Sequence, residues 1–363
     1  MTDNFDTITH RILVINPGST STKIAVYRNT KIRFLKSIKH SSTDLEGFDH
    51  VIDQFEVRKK MVLKALENED IKLDEFTAVI GRGGIMKPLE SGVYEVNAPM
   101  LKDLKSMKYG EHASCLGGLL AYDIASPIPG ARAFIADPTT VDELQDVARI
   151  SGHPLLERVS VFHALNHKMI ARNHARLVGK SYEEMNLIVA HLGGGITVGA
   201  HLKGRVVDVN QGLDGDGPFG PERSGTLPVG ALAKLCYSGD YTLEEVKKMI
   251  TGKGGYMAYF GINDAYSIGL MAEEGNEKAI LIQKAMAYQI AKEIGAMSTV
   301  LKGVVDGILI TGGIAHNTVV LDHIKAMVAH IARVVVYPGE DEMKALAQNA
   351  LRVLLEEETP KEY

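Results

Sequence analysis

The chain has 363 residues, 45% hydrophobic and 23% charged, a composition typical of a globular protein with room for two hydrophobic cores. A net charge of −5 provides no basic field for nucleic acid or an anionic membrane. Cys115 and Cys236 are too few for a disulfide framework and fit a reducing cytosol. The N-terminus is polar, unlike a signal peptide, and no apolar run is long enough to span a membrane. We therefore expect a soluble cytoplasmic protein.

The first part of the chain alternates between strand and helix patterns. Turn residues separate three extended segments at its start, which predicts an antiparallel meander. These segments are residues 11–16, 22–29 and 31–40. A helical pattern over residues 48–68 and an apolar strand over residues 77–84 follow, and another strand ends near residue 137.

The opening pattern returns later in the chain. NLIVAHLGGGITVGAHLKGRVVDVN can be laid on HRILVINPGSTSTKIAVYRNTKIRFLK with an offset of 175, which places Asn16 on His191 and Gly18 on Gly193. TAVIGRGGIM and GILITGGIAH form a second such pair. We interpret these echoes as a duplicated domain, with chance similarity of strand–turn–strand segments as the alternative. Two such domains facing each other would bring both glycine-rich turns into one ligand cleft.

The second half of the chain contains strong helical patterns. Apolar residues at helical spacing predict helices over residues 277–303, 317–332 and 341–358, with a strand over residues 333–339. The order of strands and helices favours an α/β protein.

Two turns carry residues suited to phosphate. Ser19 and Ser21 lie in a turn between strands, where small residues and hydroxyls can hold an anion, although polar hairpin turns prefer the same residues. HLGGGIT has glycines at positions 193–195, which allow either close ligand approach or a tight hairpin. The P-loop pattern GxxxxGK[ST] and the pattern GxGxxG are both absent from the sequence.

Two arginines are candidates for binding an anion. Arg223 lies in a glycine- and proline-rich segment, residues 206–230, which is too long for a tight turn and indicates a functional or a solvated loop. An arginine there can pair bidentately with carboxylate or phosphate. Arg82 ends a predicted strand between glycines, either in a cleft or in a surface ion pair.

Three further sites have a functional and a structural interpretation. Asp137 ends a strand before Pro138, where it could hold Mg²⁺, polarise a nucleophile or start a turn. His163 and His167 lie four apart on a probable helix, a spacing that can bind zinc, but a packed or hydrogen-bonded histidine is favoured. Gly312 and Gly313 follow an apolar strand and suit either a nucleotide or close helix packing.

Several segments together resemble a known family. NPGSTSTK, HLGGGIT, GDGPFGPERSG, ITGG and YPGEDEMKALAQNALRVL occur in the order found in butyrate kinases of the acetokinase family, within the sugar kinase, Hsp70 and actin superfamily. GPFGPERSG and YPGEDEM resemble butyrate and branched-chain acyl kinases rather than acetate kinases. The resemblance implies two duplicated ribonuclease H-like α/β domains with mixed five-stranded sheets and an interdomain cleft. It places residues 1–150 with 340–363 in one domain and residues 151–339, with the nucleotide pocket, in the other.

The resemblance also implies an activity and its cofactors. Butyrate kinases transfer phosphoryl reversibly between ATP and a short-chain carboxylate, so butanoate and ATP give butanoyl phosphate and ADP with Mg²⁺. The alternatives are a branched-chain, acetate or propionate kinase. A sugar kinase or an actin- or Hsp70-like nucleotide-binding protein is a more distant alternative. The family tends to assemble as dimers or larger oligomers, and small-molecule carboxylates and nucleotides are the expected partners.

Residue roles follow from the same resemblance. Asn16, Ser19, Ser21 and Lys23 match the first phosphate-binding turn. The second turn corresponds to His191, Gly193, Gly194 and Gly195, and the adenosine pocket to Gly312 and Gly313. Arg82 resembles the arginine that receives the carboxylate or acyl phosphate, and Arg223 the arginine that stabilises the transferring group. His163 resembles a histidine that hydrogen-bonds that group, and Asp137 an aspartate that orients the carboxylate or assists Mg²⁺.

Two positions depart from the acetate kinase pattern. Gly194 stands where acetate kinases have asparagine, and His316 where they have a glutamate linked to Mg²⁺. The Mg²⁺ contacts therefore stay open, with Asp137 and water-mediated contacts as candidates.

Overall fold

The computed structural model describes residues 9–41 and 47–363, and the chain divides into two units. Unit 1 runs to Thr140 and includes Asp341–Tyr363, whereas unit 2 is Val141–Glu340. The division precedes residue 150, the domain limit expected from sequence, because the segment after Thr140 bonds to unit 2. For example, the amide of Gln145 donates to the carbonyl of Val207 at 3.0 Å.

Unit 1 contains a mixed sheet of six strands in the order β3-β2-β1-β4-β6-β5. They are β1 (Arg11–Pro17), β2 (Ser21–Arg28), β3 (Lys31–Lys39), β4 (Ala78–Arg82), β5 (Val93–Glu95) and β6 (Arg132–Ala136). β1, β2 and β3 form the predicted antiparallel meander, and β4 and β6 add parallel strands. The expected five strands become six because the short β5 pairs antiparallel with β6 at the edge.

Unit 2 contains a five-stranded sheet in the order β11-β10-β7-β8-β9. The strands are β7 (Asn186–Leu192), β8 (Ile196–Leu202), β9 (Arg205–Val209), β10 (Gly307–Gly312) and β11 (Val334–Pro338). β9 occupies the start of the segment predicted as a loop over residues 206–230. That prediction was wrong for residues 206–209, which belong to a strand paired antiparallel with β8 and bury Val206, Val207 and Val209.

Helices flank both sheets. In chain order they are α1 (Phe55–Glu67), α2 (Ala98–Ser106), α3 (Cys115–Ala125), α4 (Asp146–Arg149), α5 (Ala164–Leu177), α6 (Val229–Cys236), α7 (Leu243–Ile250), α8 (Gly255–Phe260), α9 (Ala265–Glu273), α10 (Glu277–Val300), α11 (Thr318–Val328) and α12 (Glu342–Leu354). Short 3₁₀ turns are Val51–Gln54, Leu73–Glu75, Tyr182–Glu184 and Gly313–His316. The helix predicted from residue 48 begins as one of these turns and continues as α1. Within the described ranges, no helix combines the length and apolarity needed to cross a membrane.

The two sheets share one plan, which confirms the duplicated α/β fold. In each, an antiparallel meander is followed by a strand parallel to its first strand and by a further parallel strand. The offset of 175 carries β1 onto β7 residue for residue. Both meanders contain a register irregularity, after Val26 in unit 1 and after Ala200 in unit 2, which are one residue apart under the offset of 175. The turns after β1 and β7 therefore occupy equivalent positions in their own units.

Candidate anion-binding sites

A buried arginine holds the turn after β1. Arg58 on α1 is 1% exposed, and its Nη1 donates to the carbonyl of Gly18 at 2.9 Å and to Thr22 Oγ1 at 3.1 Å. Its Nη2 donates to the carbonyl of Ser19 at 3.2 Å and to Gln54 Oε1 at 2.8 Å. No carboxylate of the described residues contacts this guanidinium, and burial lowers its pKa. A positive charge balanced only by neutral acceptors thus lies beneath the turn.

The other carbonyls of this turn also face protein donors. The amide of His40 donates to Thr20 O at 2.9 Å, and the amide of Gly18 donates to Ser21 O at 2.7 Å. The hydroxyls of Ser19 and Ser21 have no hydrogen-bond partner within residues 9–41 and 47–363. With its carbonyls engaged inward, the turn offers hydroxyl donors to a ligand, which suits an anion better than a cation.

Asn16 and Arg82 converge on an acidic side chain that the sequence did not indicate. Arg82 Nη1 lies 2.8 Å from Oε1 and 2.9 Å from Oε2 of Glu342, and Asn16 Nδ2 donates to Oε2 at 2.6 Å. Glu342 begins α12, and 260 residues separate it from Arg82. Its carboxylate forms a salt bridge with Arg82, the arginine expected to receive a substrate anion. Lys23 lies opposite Asn16 in the β1–β2 register, and its side chain is exposed.

Asp137 is buried at the end of β6 and held by its own unit. It is 2% exposed, and its Oδ1 accepts hydrogen bonds from Ser91 Oγ at 2.6 Å and from the amide of Gly92 at 2.9 Å. Its φ of 38° is in the left-handed region, which costs energy for a residue with a Cβ. The hydrogen bonds from Ser91 and Gly92 hold Asp137 in this conformation.

Two histidines stack in unit 2. His163 directly precedes α5, and its ring lies 3.9 Å from that of His191 with the planes 17° apart. His191 Nδ1 is 2.9 Å from Asn166 Oδ1, and its Nε2 is 3.4 Å from Glu340 Oε2. The prediction that His163 lies within the helix was wrong, because α5 begins one residue later.

His163 and His167 both contact the hydroxyl of Thr197. Thr197 Oγ1 lies 2.9 Å from His163 Nδ1 and 3.0 Å from His167 Nε2. His167 and Thr197 are completely buried. Within the described part of the chain, no group of three or more His, Cys, Asp or Glu side chains is arranged to hold a metal ion.

Arg223 is packed directly against the turn after β7. Its Nη1 donates to the carbonyl of Gly212 at 2.6 Å, and a Cβ on Gly195 would lie 1.8 Å from the same atom. Burial lowers the pKa of Arg223, and the negative charge of Glu222 acts in the opposite direction. Its buried Nε has no hydrogen-bond partner among the described residues. Glycine at position 195 is therefore required for the guanidinium to reach this turn, where it retains unused donor capacity.

The segment carrying Arg223 is ordered by buried polar side chains. Asn210 accepts a hydrogen bond from the amide of Val198 at 2.7 Å and donates to the carbonyl of Ile196 at 3.0 Å. Asp216 accepts from the amide of Gln211 at 3.0 Å. These contacts tie the segment to β8, so it is an anchored loop and not a freely solvated one.

The glycines after β10 differ in their surroundings. Gly312 has a φ of 95°, and a Cβ there would lie 2.4 Å from the carbonyl oxygen of Leu192, so strand packing explains this glycine. Gly313 is exposed, and a Cβ there would meet no atom within 4 Å. Only Gly313 of the two borders space that a ligand could enter.

A family model covers much of the chain. The model of the acetokinase family matches residues 153–356, more than half of the chain. This chain belongs to the acetokinase family. The matched range contains His163, the turn after β7, Arg223 and Glu342.

Solved structures share the acetokinase fold over nearly the whole chain. Acetate kinase from Porphyromonas gingivalis is 19% identical with a TM-score of 0.78, and the match covers 95% of this chain and 100% of that one. A propionate kinase from Francisella tularensis subsp. tularensis SCHU S4 is 18% identical with a TM-score of 0.73, over 94% and 98%. Acetate kinase from Entamoeba histolytica is 17% identical with a TM-score of 0.73, over 93% and 97%. At these identities the likeness establishes the fold.

Sequence reasoning missed two residues of these sites. Arg58 lies in an amphipathic helix, where an arginine normally indicates a solvated face, and only its burial reveals the role. Glu342 had a weak signal, since YPGEDEM concentrates acidic residues at the start of the final helix. Acidic residues are also common at helix N-termini for reasons unrelated to function.

Proposed function

We propose that this acetokinase-family chain is an ATP-dependent kinase of short-chain carboxylates that reversibly converts butanoate and ATP into butanoyl phosphate and ADP. The observation that carries the proposal is Arg223, a partly buried arginine packed on the turn after β7, whose buried Nε has no hydrogen-bond partner among the described residues. A buried guanidinium N–H without a partner is costly unless an acceptor, such as a phosphoryl oxygen, binds it. Phosphoryl transfer depends on such groups, since it requires charge neutralisation and alignment more than covalent chemistry.

The residues of each unit suggest a separate role for each unit in the reaction. In unit 1, Glu342 first separates from Arg82. Arg82 then receives the carboxylate or acyl phosphate of the substrate, and Asp137 orients that substrate group. The hydroxyls of Ser19 and Ser21, above the Arg58 charge, take phosphate oxygens together with Lys23 and Asn16. A carboxylate substrate is already a nucleophile, so direct in-line transfer needs no strong general base.

In unit 2, the turn at residues 193–195 binds the transferring phosphoryl. Arg223 neutralises charge on its equatorial oxygens, and His163 donates a hydrogen bond to it. His191 stacks on His163 and limits the rotation of that ring. Gly313 borders the nucleotide, while Gly312 shapes the strand end beside it.

Mg²⁺ is the expected cofactor, and the oxygen-rich side chains of unit 1 suit it. Nucleotide-bound Mg²⁺ keeps several waters and takes only one or two protein carboxylates, so a dense ligand cluster is unnecessary. Asp137 and Glu342 are the carboxylates that would hold it. When bound, the ion neutralises charge on the nucleotide phosphates.

Butanoate is the proposed acyl group because GPFGPERSG and YPGEDEM resemble butyrate and branched-chain acyl kinases. Isobutyrate, propionate and acetate are the competing substrates, and the similar solved structures include proteins named acetate and propionate kinases. A sugar kinase would need a carboxylate base to deprotonate a hydroxyl. A nucleotide-binding protein of the actin or Hsp70 type would transfer no phosphoryl to a carboxylate.

We further propose a cytoplasmic homo-oligomer. α6 has no buried residue, and Val229 and Tyr237 at its ends are 78% and 92% exposed. An apolar helix that the described residues leave uncovered favours burial against another copy.

Acyl phosphate trapped as hydroxamate tests the activity. We expect ATP- and Mg²⁺-dependent hydroxamate with butanoate, and a lower kcat/KM with acetate and propionate. Equal or higher kcat/KM with isobutyrate would reassign the acyl group. Turnover of sugars with none of the carboxylates would contradict the proposal as a whole.

A further inference from the structure

A continuous chain of hydrogen-bond contacts runs through unit 2 from Tyr182 to His163. The phenolic oxygen of Tyr182 lies 2.6 Å from Nδ1 of His201, and Nε2 of His201 lies 3.3 Å from Nδ1 of His167. His167 Nε2 is 3.0 Å from Thr197 Oγ1, and that oxygen is 2.9 Å from His163 Nδ1. We name this series of five side chains the 182–163 chain.

The interior of the 182–163 chain contains neutral imidazoles. His167 and His201 are completely buried, and desolvation holds the pKa of both well below the usual value. Repulsion from His191 lowers the pKa of His167 further, repulsion from His167 lowers that of His201, and Lys168 acts on both in the same direction. A neutral imidazole has one N–H donor and one acceptor nitrogen. The proton position on one of these two rings therefore dictates the position on the other.

Two arrangements satisfy every contact and also pair the Thr197 proton within the 182–163 chain. The Thr197 oxygen could instead accept from both His163 and His167, but its own proton would then have no acceptor among these contacts. In the first, Tyr182 donates to His201, each group donates to the next, and the Thr197 hydroxyl donates to Nδ1 of His163. His163 then carries its proton on Nε2. In the second arrangement every bond is reversed, and His163 carries its proton on Nδ1 and presents a lone pair at Nε2.

Phosphoryl chemistry distinguishes the two arrangements. The oxygens of a phosphoryl group accept hydrogen bonds and donate none when ionised. Nδ1 of His163 is engaged with Thr197, so contact with a phosphoryl oxygen has to use Nε2. Stacking on His191 at 3.9 Å restricts reorientation of the His163 ring. A productive contact needs a proton at Nε2 in advance, because pre-organised donors stabilise charge without reorganisation.

We propose that the 182–163 chain holds His163 as the Nε2–H tautomer, so that the ring donates to the phosphoryl group, and that Tyr182 is the positioning residue at its far end. The inference rests on the proposed function, since the acceptor is the transferred phosphoryl. Tyr182 lies in the 3₁₀ turn before β7 and acts only through the intervening side chains.

Tyr182→Phe tests the proposal, with Tyr337→Phe as the matched control. Tyr337 also places its hydroxyl 2.8 Å from a buried histidine, Nδ1 of His174, but lies outside the 182–163 chain. Histidine-selective ¹⁵N NMR of the full-length protein reports the proton position on His163 without turnover. We expect Nε2–H in the wild type and in Tyr337→Phe, and a mixed or Nδ1–H state in Tyr182→Phe. The kcat of Tyr182→Phe should fall about tenfold, with the KM for butanoate unchanged.

Several results would overturn the proposal. One is a wild-type protein in which His163 carries its proton on Nδ1. The others are a Tyr182→Phe variant with an unaltered His163 tautomer and kcat, or an equal loss of kcat in Tyr182→Phe and Tyr337→Phe. Should Tyr182→Phe fail to fold, Thr197→Val and Thr197→Ser decide instead. Valine keeps the shape of threonine but breaks the chain, whereas serine restores the hydroxyl, so only serine should retain the Nε2–H tautomer and most of kcat. A wild type that makes no acyl phosphate would remove the proposed function and leave the tautomer measurement intact.

Discussion

Arg82 and Glu342 form a salt bridge in which one guanidinium nitrogen lies 2.8 Å and 2.9 Å from the two carboxylate oxygens. Both side chains are partly exposed, at 26% and 20%. The arginine proposed to bind a substrate anion is therefore already neutralised by an internal carboxylate. Substrate must compete with Glu342, or Glu342 must be drawn elsewhere when nucleotide and Mg²⁺ bind.

Glu342→Gln should increase the affinity of the nucleotide-free protein for butanoate. The neutral amide competes less well for Arg82, and a partly exposed ion pair of about 1 kcal/mol corresponds to about fivefold in affinity. Calorimetric titration measures the change. Glu95→Gln is the control, since Glu95 pairs with Arg132 at 2.7 Å elsewhere in the same unit. Weaker binding in Glu342→Gln than in the control variant would contradict the competition.

Arg223→Ala should lower kcat by about two orders of magnitude or more, with a modest change in the KM for ATP. The guanidinium is proposed to act on charge that develops in the transition state, and loss of such a group reduces kcat most. Steady-state kinetics with butanoate gives both parameters, and circular dichroism checks the fold. Near-normal turnover would remove Arg223 from the reaction.

Gly195→Ala should move the guanidinium of Arg223 away from the turn without removing its positive charge. The added methyl would lie 1.8 Å from Nη1, so the guanidinium must move away from the turn. We expect kcat to fall at least about tenfold, because small displacements of positioned groups are costly. Gly230→Ala is the control, since a Cβ there meets no atom within 4 Å. Equal kcat in the two alanine variants would show that the contact is unimportant.

Arg58→Met and Arg58→Lys should separate the charge of Arg58 from its geometry. Methionine leaves the carbonyls of Gly18 and Ser19 without their donor, which should destabilise the protein by about 3 kcal/mol. Lysine retains the positive charge but cannot reproduce the planar fork. We expect the KM for ATP to rise in both variants and most in Arg58→Met. Denaturant unfolding measures the stability change, and an unaltered KM in a folded Arg58→Met would exclude an electrostatic role.

Glu293 should make the stability of the protein depend on pH. Burial, then repulsion from Asp216 and Asp208, raises its pKa from 4.5 to about 7, against the opposing effect of Arg158 and Lys292. Between these values the native state retains a proton that the unfolded chain has released. Stability therefore falls as pH rises through this window, by about 1–2 kcal/mol after allowance for partial exposure.

Glu293→Gln removes this titration and should flatten the profile. The variant should gain stability over the wild type at about pH 8 and little at about pH 4.5. Urea unfolding at both pH values measures the difference, and the exposed Glu274→Gln on the neighbouring loop serves as control. A gain of equal size at both pH values would contradict the raised pKa.

Much of the fold followed from local patterns. Alternating apolar residues and turn residues predicted the meander, and the echo at an offset of 175 predicted a duplication that both sheets display. These signals are local because side-chain periodicity and turn chemistry act over a few residues. The short β5 escaped detection, since three residues carry almost no periodic signal and their pairing partner β6 is distant in sequence.

The candidate sites could be predicted only in part. The glycine-rich turns and Arg223 stood out by composition, and the family resemblance supplied expected roles. Arg58 and Glu342 did not stand out, because an arginine in an amphipathic helix and a glutamate at a helix start are ordinary residues in ordinary places. Their importance arises from contacts with groups far away along the chain.

Sequence alone thus specified which segments become strands, helices and glycine-rich turns, because those choices depend on near neighbours. Tertiary structure decided which charges meet. It brought Glu342 into a salt bridge with Arg82, 260 residues away in sequence, and packed Arg223 against Gly195. It also linked His163 to Tyr182 through three buried side chains. The physical reason is that electrostatic and hydrogen-bond energies depend on distance in space and on burial, and neither is written in the local sequence pattern.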